Sequence, residues 1–367
     1  MSGSGKSPIL VTGGAGFIGS CFVRGALQSG RKVVVLDLLT YAGHESTLEE
    51  VRENPGLVFV RGDIGDGYLV RELLSQHQPS AVVHFAAETH VDRSIDDPSR
   101  FLKTNILGTY ELMEACRRMP NMEEGFRFLL VSTDEVFGTL GPQGAFSETS
   151  PYAPNSPYSA SKAGADLLAR SYFETFSFPV ITTHCSNNYG PYQFPEKLIP
   201  LIVLNALEAK DLPVYGDGLQ VRDWIHVADH CEGIWAALQR GRPGAHYLFG
   251  ANTERTNLGL LRELLGHLQN LRPAQSNEAL RVRGLKAYGD LIRYVKDRPG
   301  HDRRYAIDSS LAILELGWTP RRPFGRALRE TVGWYIDHQD WCRKVQQNNY
   351  GRERLGLVPG IPQGGAS

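Results

Sequence analysis

One stretch near the start, ILVTGGAGFIGS, restricts the fold of this chain more than any other. An apolar run reaches Thr12, glycines follow at 13, 14, 16 and 19, and an amphipathic segment continues through GFIGSCFVRGALQSG. Gly14, Gly16 and Gly19 satisfy GxGxxG, while Gly13, Gly16 and Gly19 satisfy GxxGxxG. Glycine permits a tight turn and close backbone approach, so a pyrophosphate can rest on the free amides that open the helix. A second apolar run, KVVVLD, ends in Asp37, and the next residue, Leu38, carries no positive charge. A carboxylate at that point accepts hydrogen bonds from a ribose 2′-hydroxyl and repels a 2′-phosphate, which favours NAD over NADP.

The same alternation continues. LVFVRGD, AVVHFAA and FRFLLVST read as further strands, and PSRFLKTNILGTYELMEACRRM has the length and periodicity of a helix. Strands alternating with helices predict an α/β fold, a Rossmann-type doubly wound parallel sheet. After about Asn187 the pattern becomes irregular and rich in Gly, Pro and aromatics, then helical at NLGLLRELLGHLQ and FGRALRETVGWYIDHQDW, with a loop-like break at Pro273. We expect an NAD-binding Rossmann domain over 1–186, rejoined by a segment near 226–250. A smaller C-terminal α/β lobe over 187–367 is expected mainly to bind substrate.

Composition narrows the partners. A formal net charge of −1 supplies no global basic excess for nucleic acid or a membrane surface, so anion binding must come from local groups. No apolar run approaches the roughly 20 residues that span a bilayer, and MSGSGKSPILVTGG lacks the apolar centre of a secretory signal. Five cysteines without CxxC spacing suit a reduced, cytoplasmic protein and argue against a metal cluster. GSGKS near the start resembles the end of a phosphate-binding loop, but it precedes a strand instead of following one. His84 and His90 make a poor metal pair, nothing evident activates Cys185, and no metal is expected.

Two further segments carry chemistry. SPYSASKAGADLLARSY reads as a helix capped by Ser156 with Pro157 at its first position, so Tyr158 and Lys162 share one face. Of 15 tyrosines, only Tyr158 has a lysine four residues later. A nearby ammonium and a nicotinamide cation favour the phenolate, which would let Tyr158 serve as a base towards a hydroxyl. In LLVSTDEVFG, Asp134 and Glu135 follow a strand, where adjacent side chains point to opposite faces unless the strand is ending. Two carboxyl groups held together push their proton affinities apart, so one can act as acid and the other as base.

The glycine turn, Asp37, YxxxK and the C-terminal lobe resemble the extended short-chain dehydrogenase/reductase family. Within it AAETHVDRSI, STDEVFG, CSNNYGPYQFPEKLIP, YGDGLQVRDWIHVADH and DRPGHDRRYAID are similar to the dTDP-glucose 4,6-dehydratases, from about Pro8 to about Leu357. That resemblance implies a lyase that oxidises sugar carbon 4, eliminates water across carbons 5 and 6, and returns the hydride to carbon 6. It implies Glu135 as base, Asp134 as acid, and Thr133 hydrogen-bonded to the carbon-4 oxygen that Tyr158 deprotonates. For the cofactor it implies Phe17 and Ile18 after the glycines, Thr40 beyond Leu38, and Asp63 and Ile64 at the adenine. Phe85, Ala86, Ala87, Thr104 and Asn188 complete that set. For the substrate it implies Thr89, Asn187, Lys197 and Leu198, then Pro213, Tyr215, Asn257 and His301, with Arg222 and Arg298 towards the diphosphate. Family members commonly form homodimers through two helices per subunit, here SRFLKTNILGTYELMEACRRM and SPYSASKAGADLLARSYFETF. Leu38, His44, Thr89 and His184 depart from the family pattern. A related 4-epimerase, or a dehydratase using another nucleotide, is the alternative; an epimerase needs the tyrosine and NAD but no TDE acid pair.

Overall fold

The computed structural model of the chain describes residues 7–120, 124–297 and 300–347. Seven strands form one parallel sheet: β1 (Ile9–Thr12), β2 (Val33–Asp37), β3 (Leu57–Arg61), β4 (Ala81–His84), β5 (Arg127–Val131), β6 (Val180–Cys185) and β7 (His246–Phe249). Their order is β7-β6-β5-β4-β1-β2-β3. Helices cover both faces, so the inner strands are apolar on both sides; every residue of ILVT and VVVLD is buried. The order reverses between β1 and β4, and the crevice beyond their carboxyl ends is where an open α/β sheet accepts ligands.

The C-terminal lobe has its own apolar core, built from Leu198–Leu207, Asn257–Leu271 and Phe324–Asp337 around Tyr189, Trp224, Leu264 and Tyr335. Short strand pairs join it: Leu212–Tyr215 with Ile292–Val295 in parallel, and Val221–Arg222 with Arg255–Thr256 antiparallel.

Two expected helices differ in detail. The helix over 98–119 is α-helical at Pro98–Phe101, winds as a π-helix over Leu102–Gly108, and returns to α over Thr109–Arg117. The Thr109 hydroxyl donates to the Asn105 carbonyl at 2.7 Å, competing for the acceptor that an α-helical ladder would offer the Thr109 amide. The long C-terminal helix breaks at His338 into Phe324–Asp337 and Gln339–Gln346.

Candidate active site

The glycine turn packs too tightly for side chains. Gly13 has φ +69°, and a Cβ there would lie 2.5 Å from the Ala86 amide nitrogen. A Cβ on Gly19 would lie 2.2 Å from the Gly13 carbonyl oxygen. The helix Phe17–Gln28 therefore starts directly above the turn, with Gly16 as its cap. Asp37 accepts from the Ala15 amide at 2.9 Å through one oxygen and from the Leu39 amide at 2.8 Å through the other. Each oxygen keeps a lone pair, which fits two ribose hydroxyls. Burial raises the Asp37 carboxyl above its usual range, against the pull of those two amides. These residues fit NAD.

A cleft of about 330 Å³ opens beyond the strand ends. That volume falls at the lower end of the roughly 300–1,000 Å³ of common ligand pockets. Gly13, Gly16, Phe17, Ile18 and Gly19 line it, followed by Asp37, Leu38 and Thr40. Asp63, Ile64, Phe85, Ala86, Ala87 and Thr104 form another wall. Asp63 also closes its own turn, accepting from the Gly65 amide at 2.8 Å. Thr89, Thr133, Asp134, Glu135, Tyr158 and Lys162 face the cleft with Asn187, Asn188 and Lys197.

The TDE segment does not continue as a strand. β5 stops at Val131, and Asp134–Phe137 winds as a short 3₁₀ turn capped by the Thr133 hydroxyl, which accepts from the Glu135 amide at 3.3 Å. On a tight turn, neighbouring side chains no longer alternate by 180°, so Asp134 and Glu135 both line the cleft. Asp134 is 2% exposed, and its Oδ2 is buried without a hydrogen-bond partner among the described residues. Burial first, and the Glu135 carboxylate second, raise the Asp134 carboxyl well above its ordinary value, against the weaker pull of Arg222.

Ser156 and Ser159 form a capping box at the start of Pro157–Phe176, which fixes Tyr158 and Lys162 in the first turns. The Lys162 ammonium donates to the Val131 carbonyl at 2.8 Å, tying the helix to the end of β5. Here the sequence expectation needs correcting. Burial and then the Glu135 carboxylate raise the Tyr158 phenol well above 10, while the Thr133 hydroxyl lowers it; Lys162 is not among its main influences. Burial also lowers the Lys162 ammonium, partly offset by Asp166.

The remaining substrate candidates lie outside the cleft wall, in the second lobe. Arg222 is 5% exposed, donates to the Val221 and Asp302 carbonyls at 2.8 and 2.9 Å, and stacks over Tyr305. It does not pair with Asp223, whose carboxylate accepts from the Ala251 and Thr253 amides. Tyr215 meets the His301 ring, His301 bonds Asp297 at 2.6 Å, and Asp297 accepts from Gln220 at 2.9 Å. The amide of Asn257 donates to the Gln220 carbonyl; Thr256, not Asn257, caps that helix. Leu198 and Pro213 are half-buried on the same lobe. Lys197 donates to the Thr89 carbonyl at 3.1 Å. Arg298 lies outside the described residues.

Three groups escaped the sequence reading. Asn105, within the π-helix, accepts from the Glu88 amide and donates to the Glu88 carbonyl and the Ser161 hydroxyl. Buried Glu196 accepts from Arg93 at 3.1 Å. Asp166 accepts from Ser132 at 2.7 Å and meets His184 at 3.0 Å, joining the helix of Lys162 to the TDE turn. Only Asp166 left a signal, one turn beyond Lys162.

A family model described as GDP-mannose 4,6 dehydratase matches residues 10–331. A dTDP-glucose 4,6-dehydratase of Xanthomonas campestris pv. campestris is 53% identical over 354 residues, covering 95% of this chain and 99% of that one. The crystal structure of a dTDP-glucose 4,6-dehydratase from Streptomyces venezuelae with NAD bound superposes with a TM-score of 0.83 at 45% identity, over 92% of this chain and 99% of that one. A UDP-glucose 4-epimerase of Thermotoga maritima follows the same fold with a TM-score of 0.77 at 26% identity, over 90% of this chain and 99% of that one.

Proposed function

The chain belongs to the family that the GDP-mannose 4,6 dehydratase model describes, and on that premise we propose that it converts dTDP-glucose to dTDP-4-dehydro-6-deoxy-glucose and water. The glycine turn and Asp37 would hold NAD, which would supply a hydride acceptor for sugar carbon 4 and a hydride donor for carbon 6, so that none would be consumed. Tyr158 takes the carbon-4 hydroxyl proton, with Thr133 hydrogen-bonded beside it. The resulting ketone acidifies carbon 5, Glu135 removes that proton, and Asp134 protonates the hydroxyl leaving carbon 6. Lys162 anchors the tyrosine helix at Val131. In the second lobe Arg222 meets the diphosphate, with Tyr215, Asn257 and His301 lining the substrate; Arg298, the other cation expected at the diphosphate, lies outside the described residues. Residues 1–186, with 226–250 rejoining them, hold the cofactor, and 187–367 mainly hold the substrate.

Asp134 carries this reading. A general acid must keep its proton at neutral pH, and Asp134 is buried, raised and next to a second carboxyl group. A 4-epimerase has no use for that pair. Incubation with dTDP-glucose, UDP-glucose and GDP-mannose, scoring the 4-keto-6-deoxy product of each, is the test. Product from dTDP-glucose is expected; a 4-epimer alone, or no product, would overturn the proposal.

The chain acts as a homodimer through the helices over 98–119 and 157–176. Large apolar side chains are exposed there, with Leu102 at 48%, Leu107 at 58% and Leu167 at 52%. A reducing cytoplasm suits its five cysteines, none of which forms a disulfide. None of the described helices is long and apolar enough to cross a membrane.

A further inference from the structure

Two thiols meet where the first helix of the sheet domain packs on a later one. Cys21 sits on Phe17–Gln28, one turn beyond Ile18, and Cys231 sits on Val227–Arg240. Cys231 lies in one apolar cluster, and Cys21 packs against that cluster. The Cys231 sulfur also reaches the Ile18 carbonyl at 3.6 Å. Cys21 is only half-buried, whereas Cys116, Cys185 and Cys342 are enclosed. Neither residue has a part in the dehydration.

The surroundings make the two sulfurs unequal. Arg24 lies one turn along from Cys21, its guanidinium fixed by a 2.5 Å hydrogen bond to the Thr47 carbonyl. The neighbouring Cys231 thiol first, then Arg24 and Arg322, lower the Cys21 thiol against the opposing effects of burial and Glu232. Burial instead raises the Cys116, Cys185 and Cys231 thiols. A more exposed, more acidic thiol beside a buried second thiol is the arrangement of an attacking and a resolving cysteine.

We propose that Cys21 and Cys231 are a redox modification site, closing to a reversible disulfide when the chain meets a peroxide. The Cys21 thiolate attacks one peroxide oxygen, the O–O bond breaks, and the departing hydroxide takes a proton to leave as water. Cys21 is then a sulfenic acid. The Cys231 sulfur attacks it, the S–O bond breaks as the S–S bond forms, and the Cys231 proton leaves with the hydroxyl as a second water. Two thiols and one hydrogen peroxide give one disulfide and two waters, with the sulfurs oxidised by two electrons and the peroxide reduced by two. The bond ties the helix that opens at the glycine turn to Val227–Arg240.

The full chain, treated with hydrogen peroxide and then alkylated, is digested without reductant and mapped by mass spectrometry. A linked pair of peptides containing Cys21 and Cys231 is expected, two hydrogens lighter than their sum and separated by dithiothreitol. Titratable thiols should fall by two from the five in the sequence. In Cys231→Ser, Cys21 should instead run on to the sulfinic acid, for want of a resolving thiol. Cys21 over-oxidised without a link in the unmodified chain would overturn the proposal. So would a link to any other cysteine, or a link between chains. Thiols that stay intact at peroxide levels oxidising Cys21 in Cys231→Ser would overturn it too.

Discussion

Asp134→Asn separates the protonation of Asp134 from its place in the fold. The native carboxyl is raised by burial and by Glu135, so the folded chain holds its proton at pH values where the unfolded chain, near 3.9, has lost it. With the folded value above the unfolded one, the native state binds more protons and stability falls as pH rises. This contribution is fully present below about pH 3.9 and is lost progressively up to the folded value. Across that window the slope approaches about 1.4 kcal/mol per pH unit for one group. Asparagine has nearly the same shape and no titration. Relative to the native chain, Asp134→Asn should therefore gain about 1.4 kcal/mol per unit from pH 5 upwards. The gain continues up to the pH at which the native carboxyl loses its proton and levels off beyond it. Urea unfolding of both proteins at pH 5, 6, 7 and 8 reads the difference directly, and other titrating groups cancel. The same variant should lose water elimination by roughly 100 to 10,000-fold. A stability difference that stays flat with pH would mean a carboxylate in the folded state, and Asp134 could then not be the acid.

Glu135→Gln should leave oxidation at carbon 4 intact while elimination falls roughly 100 to 10,000-fold, so absorbance of reduced NAD builds up on dTDP-glucose. Tyr158→Phe should lose that absorbance and the product together, because the first proton transfer fails; build-up in Tyr158→Phe would place the base elsewhere. Asp37→Ala removes a charged acceptor for ribose and should weaken NAD by roughly 10 to 150-fold, from about 1.5–3 kcal/mol per hydrogen bond to a charged group, measured by calorimetry. Gly19→Ala drives a Cβ to 2.2 Å from the Gly13 carbonyl oxygen and should cost about 1–3 kcal/mol of stability as well as NAD binding. Leu107→Arg with Leu167→Arg should yield a monomer by light scattering if these exposed leucines form the dimer face.

What was legible in the sequence is what a local period or a steric rule writes there. Runs such as VVVLD, buried on both faces, can only be inner parallel strands, and the glycines at 13 and 19 record backbone contacts that admit no Cβ. Ser156, Pro157, Tyr158 and Lys162 are legible for the same reason, since cap and spacing lie within two turns. The paired role of Asp134 and Glu135 was only half-written. Their order was plain, but aiming both inward needed the strand to stop at Val131 and wind, and Lys162, 31 residues on, takes up the Val131 carbonyl. Asn105 was illegible because its use depends on a π-turn, where Thr109 competes for a backbone acceptor, and on Glu88 and Ser161, distant in sequence. Tyr158 shows the limit most sharply. Spacing put the ammonium one turn away and suggested that it sets the phenol, yet the folded chain spends that ammonium on a backbone carbonyl. Burial, and then the Glu135 carboxylate, raises the phenol instead. Proximity along a helix predicts which groups can share a site; which of them titrate one another is decided by the third partner that each finds.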